Sequence, residues 1–400
     1  MISFDEALER LLASARPLGA ERVAIDEAAG RVLAEDVVAG AAIPAFDHSA
    51  MDGYAVATAT LTGDGPWRVP VIGESAAGAG AARIEPGSAC RIFTGARVPE
   101  GADAVVMQED APRTDDTIAL AARPRSGQHI RRRGEDLAAG GLAIARGVRL
   151  GPGGVALAAG LDRAFLRVGR RPVVSILCTG DELRSPGDPA RPDSIPETNG
   201  FVVAAAARAA GAHARVAPFV ADRAEAAEAA VREALRGADL VVTIGGVSVG
   251  DHDVVRPALE AAGVTLDFWR VAMKPGKPLA VGHAGATHVL GLPGNPASAS
   301  LTFLLFGVPL LRALQGDAAP LPSRVPVRIA GAIRRKPGRQ EFARARIELR
   351  GGELTAVLAQ NQSSGAVTSF AWADALVVVP ADRERVDDGD RLTAIRIGEI

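Results

Sequence analysis

Leu240-Val241-Val242-Thr243-Ile244-Gly245-Gly246-Val247-Ser248-Val249-Gly250-Asp251-His252-Asp253 is the stretch on which the reading of the fold turns. Its first five residues are apolar or β-branched without alternation, as in a strand buried on both faces of a parallel sheet. Glycines and a serine follow, then acids that can open a helix through 254–256. Gly245, Gly246 and Gly250 allow a backbone with φ > 0 and bring its N–H groups close to a ligand. A helix starting at Asp251 or Asp253 adds the positive end of its dipole. Strand, glycine turn and helix start together form a cradle for phosphate or another oxyanion. A plain connecting turn has the same texture, so the neighbouring stretches decide.

Upstream, 173–177 reads as a second buried strand, with Thr179-Gly180-Asp181-Glu182-Leu183 as the loop at its carboxyl end. A helix opens at Asn199, a strand follows at 214–217, and Asp222-Arg223-Ala224-Glu225 starts another helix that ends at Gly237. Downstream come strands at 266–269, 278–281 and 288–291, then a long helix from about Asn295 to Leu314. Such alternation demands a mostly parallel sheet with helices on both faces. Ligands bind outside the carboxyl ends of such strands. The loops there carry Glu182, Asp222 and Asp253, and the turn Leu292-Pro293-Gly294-Asn295-Pro296 repeats the glycine-to-helix design with Asn295 as a natural N-cap. Two glycine turns and three acids describe a pocket for phosphate and a divalent metal, since Mg²⁺ takes one or two carboxylates plus phosphate oxygens. Asp222 has an equal alternative as the first residue of a capping box. Arg270, Lys274 and Lys277 crowd a segment that Pro275 and Pro278 keep off a regular helix, where they can meet a multiply charged anion or simply be solvated.

The flanks have a different texture. Ser3 and Glu6 form a capping box before a helical stripe of Ala7, Leu8, Leu11 and Leu12, expected to dock on something larger. Asp47-His48-Ser49-Ala50-Met51-Asp52-Gly53-Tyr54 suits either a ligand-facing loop or an Asx turn. From Trp67 to about Gly127 short strands and turns suggest a small inserted β domain. Arg131-Arg132-Arg133-Gly134-Glu135-Asp136 reads first as a solvated charge run, with Asp136 able to reach a site. Beyond Pro320 the pattern is all strand, as in a small barrel.

Bulk properties bound the function. Four hundred residues imply about two to four domains. A net charge of -2 gives no polyanion-binding signature, so nucleic acid is not an expected partner. Two distant cysteines, Cys90 and Cys178, exclude a disulfide framework and a Cys-based zinc site. No apolar run is expected to cross a bilayer and none resembles a signal peptide, so a soluble cytoplasmic protein is expected. Gly246-Val247-Ser248-Val249-Gly250 matches the spacing of a nucleophile elbow without a placed acid or histidine, and neither H-E-x-x-H nor a Walker A is present.

Seven motifs in order carry a family resemblance. They are 49–55 around Met51-Asp52-Gly53-Tyr54; Thr94-Gly95-Ala96 with 98–106; 131–136; 179–183; 245–250; Lys274-Pro275-Gly276-Lys277-Pro278; and 292–296. Their succession resembles the MoeA/gephyrin family of molybdopterin molybdenumtransferases over essentially the whole chain. The resemblance implies an α/β multidomain fold. A doubly wound, mostly parallel sheet domain of the molybdopterin-binding type spans 169–318. A dimerisation and linker domain is formed by 1–40 with 138–168, a mostly-β insertion spans 41–137, and a C-terminal β barrel spans 319–400.

It implies an enzyme that inserts molybdate into adenylyl-molybdopterin with Mg²⁺, releasing AMP in the last step of molybdenum cofactor biosynthesis. The catalytic positions implied are Asp52, Thr94, Asp136, Glu182, Asp222 and Asp253, with Glu182, Asp222 and Asp253 on the metal. Substrate would lie against Gly245, Gly246, Ser248, Gly250, Lys277, Pro293, Asn295 and Pro296. Arg270, Lys274, Arg344 and Ser364 would hold molybdate. Arg270 stands where lysine is usual, and Glu197 where aspartate is. A homodimer is implied, with Asp52, Thr94 and Asp136 completing the partner's cleft, and with contacts to the adenylyltransferase that makes the substrate and to molybdoenzyme acceptors. The rival readings are a non-catalytic cofactor-binding scaffold, a tungstate-inserting homologue, and a nucleotide-cleaving enzyme that shares only the α/β domain.

Overall fold

The computed structural model describes residues 1–80, 83–246 and 254–397. The stretch that decides the fold is a central strand, Leu240–Ile244, buried at every position. It lies in a six-stranded sheet whose order is His213–Val216, Val173–Cys178, Leu240–Ile244, Thr287–Leu292, Ala280–Ala284 and Thr265–Trp269. The first four strands run parallel. The last two are antiparallel additions. Strict alternation of strand and helix therefore fails after 264. Three strands follow one another there with no helix between them, and without a crossover neighbouring strands must run antiparallel.

Both faces are covered, which is why the central strands show no polar alternation. Val174, Ile176, Leu240 and Val242 pack under the helices Asn199–Ala209 and Pro296–Leu314. Leu177, Val241 and Val289 pack under Ala224–Leu235 and Val255–Ala261. The helix Pro296–Leu314 corrects the expectation that no run is long and apolar enough to cross a bilayer. It passes on both counts, but 89% of its most apolar window is buried in the chain, as for a core helix.

The barrel is closed. Gln340–Arg350, Glu353–Leu358, Arg324–Ala330, Arg391–Arg396 and Ala375–Val379 pair in a ring, and the last returns to the first. The two-residue strand Met273–Lys274, from the α/β unit, pairs in parallel with Gln340–Arg350, so one barrel strand and the cation-rich segment share a ladder.

The amino-terminal helix Phe4–Ser14 starts at Ser3, whose hydroxyl accepts from Glu6 N–H at 3.1 Å. The Glu6 side chain turns to Arg10 instead, so only half of the expected box forms. Its apolar stripe docks as expected. Phe4 meets Phe306 of the long helix and Phe342 of the barrel, with ring centroids 5.1 and 4.7 Å apart. Ala20–Ala24 pairs antiparallel with Phe165–Gly169, and the chain between them holds a six-stranded sheet formed by Ala104–Met107, Gly53–Val56, Ala89–Ile92, Trp67–Ser75, Thr117–Leu120 and Arg113–Thr114.

Candidate functional site

At the carboxyl rim of the parallel strands lies a cavity of about 520 Å³. Its floor is the ends of two strands, Cys178 and Ile244, with Gly245 and Gly246 beyond them. These two glycines take φ of 89° and 60°. A Cβ on Gly245 would sit 2.9 Å from Thr179 O, and one on Gly246 would sit 2.4 Å from the Val255 side chain. Both positions therefore require glycine for conformation and for room. Ser248, Gly250 and Asp253, the rest of the expected cradle, lie outside the described residues.

Glu182 and Asp222 line the same cavity from two different loops. The Glu182 carboxylate folds back over Gly180, where a Cβ would stand 2.5 Å from Oε2. Asp222 does not cap its helix. The N-cap is Arg223, with no side-chain bond, and the Asp222 backbone N–H instead donates to Asp181 Oδ1 at 3.3 Å. That removes the structural alternative for Asp222 and leaves its carboxylate to the cavity. Two oxygen-bearing acids with no cationic partner among the described residues suit a hard divalent ion. No cluster of three or more His, Cys, Asp or Glu that could hold a metal occurs among the described residues, the third expected ligand being Asp253.

Pro293, Asn295 and Pro296 line the cavity as well, in a turn whose Gly294 lies against Gly245. Asn295 occupies the N-cap position of the long helix, but its side chain makes no capping bond, contrary to the natural N-cap expected. The turn is held from outside: Asn199 Nδ2 donates to Gly294 O at 2.7 Å, and Ala297 N–H donates to Ser364 O at 2.9 Å. Ser364, a barrel-loop residue, is thereby seated beside the start of this helix.

Glu197 lines the cavity too. It is only 2% exposed; Oε1 accepts from Gly200 N–H at 2.7 Å, and Oε2 has no hydrogen-bond partner. Burial, and then the adjoining Glu197 charge, push the Cys178 thiol far above its ordinary range, so it stays protonated and packs.

The cations are arranged differently from the expected cluster. Among the described residues, Arg270, Lys274 and Lys277 do not line the rim cavity, although Pro278 does. Arg270 is held at φ 73°, a left-handed conformation uncommon for a side-chain-bearing residue. Lys274 is engaged by Glu341 of the barrel, Nζ to Oε1 2.9 Å. Arg344 is fully buried. Its main chain and Nε are clamped by Gln362 and its Nη1 donates to Ser363 O at 3.0 Å, while Nη2 is left without a partner. Burial lowers this guanidinium's pKa, and the nearby Glu341 charge opposes that.

In the inserted sheet Asp52 Oδ1 accepts both from Thr94 N–H and from Thr94 Oγ1, each at 2.7 Å. The backbone donor first, then the hydroxyl, hold the Asp52 carboxyl below its ordinary range. The Asx-turn alternative for Asp52 is not what forms. Asp136 is paired with Arg131. None of Asp52, Thr94 and Asp136 lines the rim cavity of its own chain.

Comparison with known proteins covers the whole chain. Residues 2–161 match the MoeA N-terminal region (domain I and II), 175–313 a probable molybdopterin binding domain, and 326–397 the MoeA C-terminal region (domain IV). A molybdopterin molybdenumtransferase of Bacillus subtilis is 34% identical over 100% of this chain and 94% of its own length. Molybdopterin molybdenumtransferase 2 of Mycobacterium tuberculosis is 36% identical over 97% of each. The crystal structure of the molybdopterin biosynthesis moeA protein from Pyrococcus horikoshii OT3 superposes with a TM-score of 0.86 at 28% identity, covering 99% of this chain and 100% of that one.

Proposed function

The chain belongs to the MoeA family of molybdopterin molybdenumtransferases, and from that premise we propose that it transfers molybdenum from molybdate to adenylyl-molybdopterin with Mg²⁺-dependent release of AMP. The observation that carries the reading is one rim cavity lined at once by Glu182, Asp222, Gly245, Gly246 and the Pro293–Pro296 turn. Pyrophosphate oxygens would lie against the glycine amides, which need no reorganisation to receive charge. Glu182 and Asp222, with Asp253, would hold the magnesium ion and orient it on those oxygens. When bound, that ion supplies Lewis-acid polarisation of phosphorus and relief of charge on the departing phosphate. Arg344, Ser364, Arg270 and Lys274 would hold molybdate beside the dithiolene, with Lys277 available to the substrate's other charges. Pro293, Asn295 and Pro296 shape the wall against which the substrate is aligned.

The Asp52–Thr94 pair and Asp136 do not line their own chain's cavity, which supports a homodimer in which they complete the partner's cleft. A cytoplasmic enzyme taking its substrate from an adenylyltransferase and passing the finished cofactor to molybdoenzymes fits this chemistry. The test is to incubate the purified chain with adenylyl-molybdopterin, molybdate and Mg²⁺, and to follow AMP together with reconstitution of a cofactor-free molybdoenzyme. Failure of both readouts refutes the reading. A non-catalytic scaffold would bind the substrate without releasing AMP.

A further inference from the structure

Lys274 is a half-exposed cation whose partner belongs to a buried ion-pair chain. Its strand, Met273–Lys274, is stitched in parallel to the barrel strand Gln340–Arg350, with Lys274 in register with Glu341. The Glu341 carboxylate is buried, 4% exposed in its side chain, and it touches two cations. Oε1 lies 2.9 Å from Lys274 Nζ and Oε2 lies 3.1 Å from Arg335 Nε. The two cations differ in freedom. Arg335 is 3% exposed, and its guanidinium also donates to the backbone oxygens of Pro380 and Arg383 at 2.7 and 2.9 Å. The Lys274 side chain is 42% exposed, and Glu341 is the ion-pair partner of its ammonium among the described residues.

The charges follow from this. A carboxylate so buried is tolerated only when paired. Arg335, fixed inside the barrel, already offsets the Glu341 charge as an ion pair, although neither its Nε nor Oε2 finds a hydrogen bond. Lys274 therefore keeps a surplus positive charge while its ammonium, a carrier of three donors, is held in ion-pair contact with Oε1. We propose that Glu341 is a positioning residue of Lys274, fixing the ammonium of a long flexible side chain at the seam between barrel and α/β unit so that its free donors receive an oxyanion there. The inference rests on the reading of Lys274 as part of the molybdate site.

The isosteric variant Glu341→Gln makes the sign of the effect decisive. On charge alone, deleting a carboxylate near an anion site tightens the anion. Loss of positioning loosens it. The expected result is a molybdate KM raised about tenfold, with the KM for adenylyl-molybdopterin and kcat at saturating molybdate unchanged. In a Lys274→Met background the same substitution has no further effect on molybdate KM. Glu341→Asp keeps the charge but shortens the reach, and raises the molybdate KM by a smaller factor. It serves as the second variant should Glu341→Gln fail to fold. A molybdate KM that falls or stays put, or that moves together with the KM of the other substrate, overturns the proposal. If Lys274→Met alone leaves the molybdate KM unchanged, the reading of Lys274 itself fails. If Lys274→Met raises it and neither Glu341 variant does, only the positioning role fails.

Discussion

Glu182 and Asp222 are exposed acids on separate loops with no internal partner among the described residues, so their removal touches chemistry more than folding. Glu182→Gln and Asp222→Asn are each expected to lower the rate of AMP release by about a hundredfold or more, while the thermal melt stays within the small range of a surface change. A melt that collapses along with the rate would point to a structural duty instead. At Asp52 the expected outcome is a titration. Replacing Thr94 by alanine deletes the hydroxyl donor and leaves the backbone one, so the Asp52 carboxyl should move up toward its ordinary value, as read by side-chain carboxyl NMR. A titration unchanged in the variant would deny the hydroxyl its part. At this scale the sequence was legible where a residue type and its local motif suffice, as for Glu182 in its Gly-Asp-Glu loop. It was not legible for Glu341. Nothing in Gln340-Glu341-Phe342 signals a partner, because that partner arrives through a ladder between distant segments. Glu197 stood out in the sequence only as a departure from aspartate; its burial was not legible, since that depends on the bare backbone at Gly200, where a Cβ would stand 3.2 Å from Oε2.

Among the elements, the inserted sheet offers the sharpest packing test. Gly53 sits in a strand paired on both sides, and a Cβ there would lie 1.9 Å from Val106 O. Gly53→Ala must push two backbones apart and is expected to cost about 1–3 kcal/mol or more, measured by chemical denaturation; a neutral result would mean the strands can slide. The same unit has an acid-sensitive design. Asp47 is held low by Arg133 N–H and the Arg132 side chain, Asp52 by Thr94, and Asp103 by Thr58 in spite of the opposing effect of burial. Because these folded-state pKa values lie below the ordinary one, the stability involved is fully present above an unfolded value of about 3.9. It is lost as pH falls through the folded values. Trp67 fluorescence in a chain with Trp269 and Trp372 changed to phenylalanine should report this loss, and Asp103→Asn should flatten the acid limb. The central strand and its glycine turn were legible because burial on both faces leaves an unbroken apolar run. The direction of Ala280–Ala284 and Thr265–Trp269 was hidden, because a strand's composition does not encode its polarity; only the missing helix between them does.

At the scale of the whole molecule, the first helix bridges the wound sheet's long core helix and the barrel. Phe4, 2% exposed, contacts the long core helix and the barrel at once. Phe4→Ala is expected to cost about 3–5 kcal/mol, in a single cooperative transition if the units melt together and in a split one if the helix is their only fastener; calorimetry distinguishes the two. The closed barrel and the wound sheet were each foreseeable from texture. Their mutual seating was not, since it depends on which apolar faces remain after each unit has closed. One result of that seating concerns synthesis. The helix Phe4–Ser14 is translated long before the barrel strand that carries Phe342, on which one side of its aromatic anchor closes. That helix must therefore wait, half-clasped and apolar, until Gln340–Arg350 has appeared. A nascent chain stalled before the barrel should present this greasy helix to a chaperone, and should release it once that strand has been translated.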